Sequence, residues 1–280
     1  MRNNMPTSSI ADIQNLEDPR NIPINHVGIR QVRHPIQISD RSHAVLGTVG
    51  TFKMYVDLPA HVKGTHMSRF IALLHEHEQT AYSVQNFNQL TLAMTERLQA
   101  QQGLIEMQFT YFRKKTAPIS QQQSYLDYEV TFLGKADGNN AQTNLKVVIP
   151  VTSLCPCSKA ISKYGAHNQR SHITVEIETC DLVWVDDLIE LAEAQASSEL
   201  YGLIKRADEK YVTETAYENP KFVEDLVRDV AEQLNHDQRI SAYKVESENF
   251  ESIHNHSAYA VIEQRKKPHT DSPCSKIETE

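Results

Sequence analysis

Apolar positions drawn from Val, Ile, Tyr and Phe recur through residues 27–34 and 44–58 densely enough to predict two strands, the second long or bulged. The spacing then lengthens to a helical one. Ser68 can cap a run carrying Phe70, Ile71, Leu73 and Leu74, and Asn86 can cap another with Leu90, Leu92, Met94 and Leu98 on one face, ended by Gly103. Alternation returns at 105–112 and 124–133, and Asp137-Gly138-Asn139-Asn140 is a turn signal. The first half therefore reads β-β-α-α-β-β.

The same order recurs downstream. Strands at 145–151 and 171–179 precede a helix over 185–200 and another running from Pro220 through Phe222, Val223, Leu226, Val227, Val230 and Leu234; strands at 242–250 and 257–263 finish the pattern. No residue-level similarity joins the halves, so what repeats is the pattern alone. The expected division is a flexible arm over 1–25, one module over 26–140, a second over 141–263 and a disordered tail over 264–280. This order implies an α+β fold, with antiparallel sheet covered by helices, and excludes the alternating order of a doubly wound nucleotide-binding fold. A Gly-rich phosphate loop is absent as well.

Composition narrows the setting. At 280 residues and 40% hydrophobic content the chain can bury a sizeable core. The polar start, with Pro6 and Pro19, carries no apolar run for a signal peptide or membrane span, so a cytoplasmic protein is expected. Four cysteines, Cys155, Cys157, Cys180 and Cys274, are too few and too uneven for a disulfide framework, and reduced thiols are the expectation. With 36 acidic against 28 basic residues the net charge is −8, which argues against nucleic acid or an anionic membrane as partner. An anionic ligand would need a local basic pocket.

One segment does not fit a core strand. Residues 155–171 gather two Cys, a His, an Asn, a Gln, Lys159, Lys163 and Arg170, and burying such groups unpaired costs roughly 1–3 kcal/mol each, more for charges. A loop lining a cleft is expected. Cys155 and His167 can ligate one metal if the loop folds back, and with no second cysteine pair to close a structural site, the pattern suits three protein ligands and an open position. Asp208, Glu209, Glu214 and Glu218, in the polar stretch 205–219, are the carboxylates available for the third place, and composition does not choose among them. Glu251-Ser252-Ile253-His254-Asn255-His256 pairs a carboxylate with imidazoles able to exchange protons near neutral pH; a solvated turn is the alternative. His75 and His77 sit two apart on a predicted helix and read as solvated surface, Cys180 reads as packing, and Cys157 stays open between ligand and bystander.

Four strings, VDLPAHVKGTHMSRF, VTSLCPCSKAISKYGAHNQRSH, KRADEKYVTETAYENPKFVEDLVRD and ESIHNHSAYA, resemble the type IB GTP cyclohydrolases over residues 25–263. The resemblance implies the tunnelling fold, built from two such modules per subunit, a homotetramer with sites near subunit interfaces, and hydrolysis of GTP to formate and 7,8-dihydroneopterin triphosphate, the first step of tetrahydrofolate biosynthesis. Matched position by position, Cys155, His167 and Glu209 correspond to the family's metal site, and Glu224 to the carboxylate that anchors guanine. His254, oriented by Glu251, is the candidate proton carrier. His66, Ser68 and Arg69 at a predicted helix start, with Lys159, Lys163 and Arg170, are candidates for the triphosphate. The mixed ligand set leaves zinc, manganese or iron open as the divalent metal. Two other readings keep parts of this: a cyclase ending at a cyclic-phosphate pterin, and a metal-stabilised purine-binding module.

Overall fold

A computed structural model describes residues 13–267. Residues 1–12 and 268–280, which hold the first part of the expected arm and most of the expected tail as well as Cys274, lie outside the described residues. Nine strands form one sheet: β1 (Ile24–Ser39), β2 (Val45–Leu58), β3 (Ala81–Tyr82), β4 (Gln102–Thr116), β5 (Gln123–Asp137), β6 (Asn140–Leu154), β7 (Asn168–Thr179), β8 (Ile240–Asn249) and β9 (Ala258–Arg265). Their order across the sheet is β3-β1-β2-β4-β5-β6-β7-β8-β9, every pairing antiparallel except β1 with β3. The helices are α1 (Met67–Glu76), α2 (Val84–Leu98), α3 (Pro156–Ile161), α4 (Val185–Gln195), α5 (Arg206–Glu218) and α6 (Val223–His236). The result is a mixed α+β architecture on a large antiparallel sheet. No helix among the described residues is long and apolar enough to cross a membrane.

Period-two alternation decides which face the helices cover. Ile105, Met107, Phe109 and Tyr111 of β4, Leu145, Val147, Ile149 and Val151 of β6, and Ile173, Val175 and Ile177 of β7 are all buried, and they join Phe87, Leu90 and Met94 of α2 and Leu226, Val230 and Leu234 of α6 in one core. The helix α2 lies close on the sheet because glycines face it. A Cβ on Gly103 would stand 2.5 Å from the Thr95 methyl, and one on Gly134 would stand 2.2 Å from Thr91 Oγ1.

The antiparallel register also gives the sheet two distinct ends. Leu58, Gln102, Asp137 and Asn140 share one end, where β5 turns into β6 through Gly138, held at φ 58°. The β4–β5 turn, Leu154, Asn168, Asn249 and Ala258 share the other. Both the 155–167 connection and the 250–257 connection leave from that second end.

A charged cluster fastens α4 to the first half of the chain. Arg113 and Lys115 of β4 meet Asp186, Glu190 and Glu193 of α4, Lys115 also reaching Glu199, while Arg41 from the β1–β2 turn grips Glu190 and Asp187. Lys115 and Glu193 are both buried, 2.7 Å apart, and the Tyr128 hydroxyl donates to the other Glu193 oxygen at 2.8 Å. Burial pushes the Glu193 carboxyl up, against the opposing pull of Lys115 and Tyr128. Losing one partner of such a pair strands a buried charge.

Several local expectations need correction. The cap of α1 falls at His66 and that of α2 at Ser83, whose hydroxyl accepts from Asn86 N in a reciprocal capping box, so Asn86 sits inside the first turn. Gln99 ends α2 in the left-handed region, and Gly103 belongs to β4. Pro220 precedes α6, whose cap is Phe222. The stretch 205–219, expected only as polar chain, folds as α5. Residues 14–18, placed within the loose arm, bond to 61–65: Asp18 N donates to His61 O, Lys63 N to Leu16 O and Gly64 N to Gln14 O. The strand β9 runs to Arg265, beyond the expected tail boundary. Cys155 and Cys157 are free, whereas Cys180 is disulfide-bonded, against the expectation of reduced thiols throughout.

Candidate functional site

The expected cleft loop is in part regular. Cys155 caps α3, its sulfur accepting from Ser158 N at 3.4 Å, and Pro156 supplies the first helical residue. One ladder step beyond the Leu154–Asn168 pair, Cys155 N donates to His167 O at 3.1 Å, so the two candidate ligands leave the sheet side by side. His167 Nδ1 lies 3.0 Å from Gln169 Oε1 and 3.1 Å from Ser252 Oγ, and Nε2 makes no hydrogen bond among the described residues. An imidazole engaged through one nitrogen with the other left over is the arrangement a metal-ligating histidine uses.

The contact to Ser252 brings in the second polar cluster. His254 Nδ1 stands 3.4 Å from Glu251 Oε2, and the His254 and His256 rings stack at 5.1 Å between centroids. Phe250 N donates to Arg170 O at 3.0 Å, and the Phe250 ring meets His172 edge-on, which ties the start of this loop to β7. Burial, with a smaller contribution from the Arg170 charge, holds His172 below the usual imidazole range. The side chains of His254 and Arg170 are exposed beside the Cys155–His167 step.

Two helices border the same end. The backbone N–H of Lys221 donates to Leu154 O at 3.0 Å, so α6 begins next to the strand that delivers Cys155, and Glu224 stands exposed in its first turn, where the helix dipole favours an anion. Asp225 Oδ2 caps Phe222 N at 2.9 Å, leaving Glu224 uncommitted to the cap. The helix α5 crosses the end of the sheet. At its start Asp208 Oδ1 accepts from Ile119 N and Ser120 N and Oδ2 from Lys205 N, each at 2.8 Å; at its finish the Lys159 ammonium donates to Tyr217 O and lies 4.4 Å from the Tyr217 ring centroid. Burial alone would raise Asp208, but these hydrogen bonds outweigh it and hold the carboxyl well below the ordinary range.

That geometry thins the choice of third ligand. Asp208 is fully buried and spent on backbone donors, and Glu214 pairs with Lys210. Glu209 is exposed in the first turn of α5, eight residues from Tyr217, about 12 Å along the helix axis. Among the described residues no group of three or more His, Cys, Asp or Glu is arranged to hold a metal ion. The chain therefore brings Cys155 and His167 together and leaves Glu209 on the same end of the sheet without grouping it with them.

The candidate phosphate residues divide. Lys159 and Arg170 lie at the Cys155 end, with Lys163 exposed on the loop between them. His66, Ser68 and Arg69 lie at the start of α1, where an Arg69 guanidinium nitrogen donates to Arg97 O, near the end of α2 and the opposite end of the sheet. His75 is exposed and paired with Glu78, as a solvated helix surface would be. Three residues outside the sequence-based candidates shape the site: Gln169, Ser252 and Tyr217. Gln169 and Ser252 lie within the polar segments singled out in the sequence, but neither carried a signal of its own, because β7 begins at Asn168, ahead of the expected strand start at 171.

Comparison with known proteins bears on this arrangement. Residues 10–260 match the family model described as type I GTP cyclohydrolase folE2. A protein named GTP cyclohydrolase FolE2 from Nitrosococcus oceani is 59% identical over 257 residues, covering 92% of this chain and 96% of that one. Another, from Dechloromonas aromatica, is 58% identical over 262 residues, covering 94% and 97%. Among solved structures, a urate oxidase from Bacillus sp. TB-90 superposes with a TM-score of 0.52 at 8% identity, covering 87% of this chain and 99% of that chain, a likeness of fold alone and consistent with a tunnelling fold. With a family model and close relatives spanning nearly its whole length, the chain belongs to the type I GTP cyclohydrolase FolE2 family.

Proposed function

We propose that this protein is a GTP cyclohydrolase, converting GTP and water to formate and 7,8-dihydroneopterin triphosphate, and that it corresponds to the type IB enzymes of the sequence resemblance. The observation that carries the reading is the convergence, in a chain of this family, of a Cys–His pair, a helix-start glutamate and a Glu–His pair on one end of the sheet.

The assigned roles follow from chemistry. Glu224 accepts two hydrogen bonds from guanine N1–H and the 2-amino group, a pairing adenine cannot offer. Water adds at C8, the imidazole ring of the base opens, a second hydration releases formate, and the ribose rearranges before the pterin closes. His254, held by Glu251, takes and returns protons through these steps, its partner fixing the ring and its charge. Cys155 and His167 would hold a divalent cation, with Glu209 as the third ligand that the resemblance supplies; zinc suits the thiolate, and the carboxylate admits manganese or iron. When bound, such a cation supplies a nucleophile from water at neutral pH.

Lys159, Lys163 and Arg170 face the triphosphate from the same chain. His66, Ser68 and Arg69 complete its binding from a neighbouring chain in a homotetramer, a reading supported by their distance from Cys155 across the sheet. The two halves, 26–140 and 141–263, are read as tandem modules, and the setting is read as cytoplasmic. The test is GTP turnover by metal-loaded protein with mass analysis of the pterin. Formate with a linear triphosphate product is expected; a cyclic-phosphate product would move the protein to the alternative cyclase reading.

A further inference from the structure

We propose that Gln169 is a positioning residue for the cation site, one that fixes which nitrogen of His167 faces a metal. The inference rests on the reading of Cys155 and His167 as ligands. Gln169 opens β7 directly opposite Ser153 of β6, and its side chain points into the helix-covered face, where it is 8% exposed. From there it closes a continuous chain of hydrogen bonds. Gln169 Nε2 donates to Ser153 Oγ at 3.0 Å, Ser153 Oγ lies 2.7 Å from Ser171 Oγ, and Gln169 Oε1 lies 3.0 Å from His167 Nδ1. Ser153 and Ser171 are both fully buried.

The direction of that chain matters. With the amide nitrogen committed to Ser153, the amide oxygen facing His167 can only accept, so Nδ1 carries the proton and Nε2 presents its lone pair. Ser252 Oγ, 3.1 Å from Nδ1, accepts from the same N–H. An imidazole in that tautomer is a metal ligand through Nε2, and its orientation is set before any cation arrives. A buried amide is costly unless hydrogen-bonded, and an apolar residue of similar size would fill the position without that cost. Its presence is explained by what it does to His167, because the Ser153–Ser171 hydrogen bond forms without it.

Cobalt(II) titration of the metal-free full-length protein, followed by the thiolate-to-cobalt absorption band, tests the assignment, with thermal unfolding of each metal-free variant alongside. Gln169→Met should weaken cobalt binding 10- to 100-fold while the metal-free protein melts as wild type does. Gln169→Glu, which still accepts from Nδ1–H and can accept from the Ser153 hydroxyl, should restore the affinity. Wild-type affinity in Gln169→Met, no rescue by Gln169→Glu, or a clearly lowered melting temperature in metal-free Gln169→Met would each overturn the positioning role. His167→Ala and Cys155→Ala serve as references. If the wild-type band is absent, or survives in both, the cation site itself fails and the role of Gln169 falls with it.

Discussion

The Cys155–Arg170 connection and the start of α1 are both polar and both carry groups suited to GTP, yet the fold treats them differently. The first is tied down at both of its ends: Cys155 to His167 through the backbone, His167 to Gln169 and Ser252, Leu154 to Lys221, and Lys159 to Tyr217. The second is a helix start with Ser68 exposed and Arg69 directed at the end of α2. Between β1, on which α1 packs, and β6 lie four strand spacings, roughly 20 Å, and the two sites leave from opposite ends of the sheet. On the proposed reading, one chain builds the groups for ring chemistry at one end of the sheet and holds its other basic cluster away from them, so that assembly would have to unite the two.

The sharpest way to break that comparison is to disable each region separately. Cys155→Ala should remove turnover altogether and weaken metal binding, whereas Arg69→Ala should raise KM for GTP with metal binding untouched. Mixing the two variants should restore part of the activity if the regions meet across chains; no recovery in mixed, reassembled protein would place them in separate functions. The next effect concerns the frame beneath the site. Lys115→Met takes the nearest cation from buried Glu193 and should cost about 3 kcal/mol in denaturant unfolding, and a change near zero would show that Tyr128 and Arg113, 3.9 Å away, suffice for that carboxyl.

Glu224→Gln follows in size. Replacing the carboxylate by an amide leaves one guanine donor facing another donor, and KM should rise about 10- to 100-fold with a smaller change in kcat. An unchanged KM would move the base-reading residue elsewhere. The smallest effect is on pH. Because His172 is held below the ordinary imidazole range in the folded protein, the unfolded chain takes up its proton first as the pH falls. Its contribution to stability is therefore intact above the ordinary imidazole value and is lost as the pH falls toward the folded-state value. His172→Gln should flatten that part of the stability curve, measured by unfolding at a series of pH values.

Much of this frame was legible in the sequence because burial on one face writes itself as period two. The alternation of Ile105 to Tyr111 and of Leu145 to Val151 predicted β4 and β6, and the apolar face from Val223 to Leu234 predicted α6. Helix ends were less legible, since a Ser or Asn marks a cap only if its neighbours fold correctly: Ser83, not Asn86, caps α2, and His66, not Ser68, precedes α1. The helix α5 was missed because its stability comes from Asp208 and the β4–β5 turn, contacts distant in sequence, with little apolar stripe to announce it. The site shows the same division. Cys155 and His167 stood out as residue types, but their shared ladder step, and the buried chain through Gln169 and Ser153, exist only once β6 and β7 pair.

Release of formate from GTP by the metal-loaded protein, measured for the wild type and for His167→Ala across zinc, manganese and iron, tests the central assignment most directly. The account predicts formate and 7,8-dihydroneopterin triphosphate from the wild type with at least one of these metals and none from His167→Ala. Absence of formate from the wild type with all three, or equal release from His167→Ala, would contradict it.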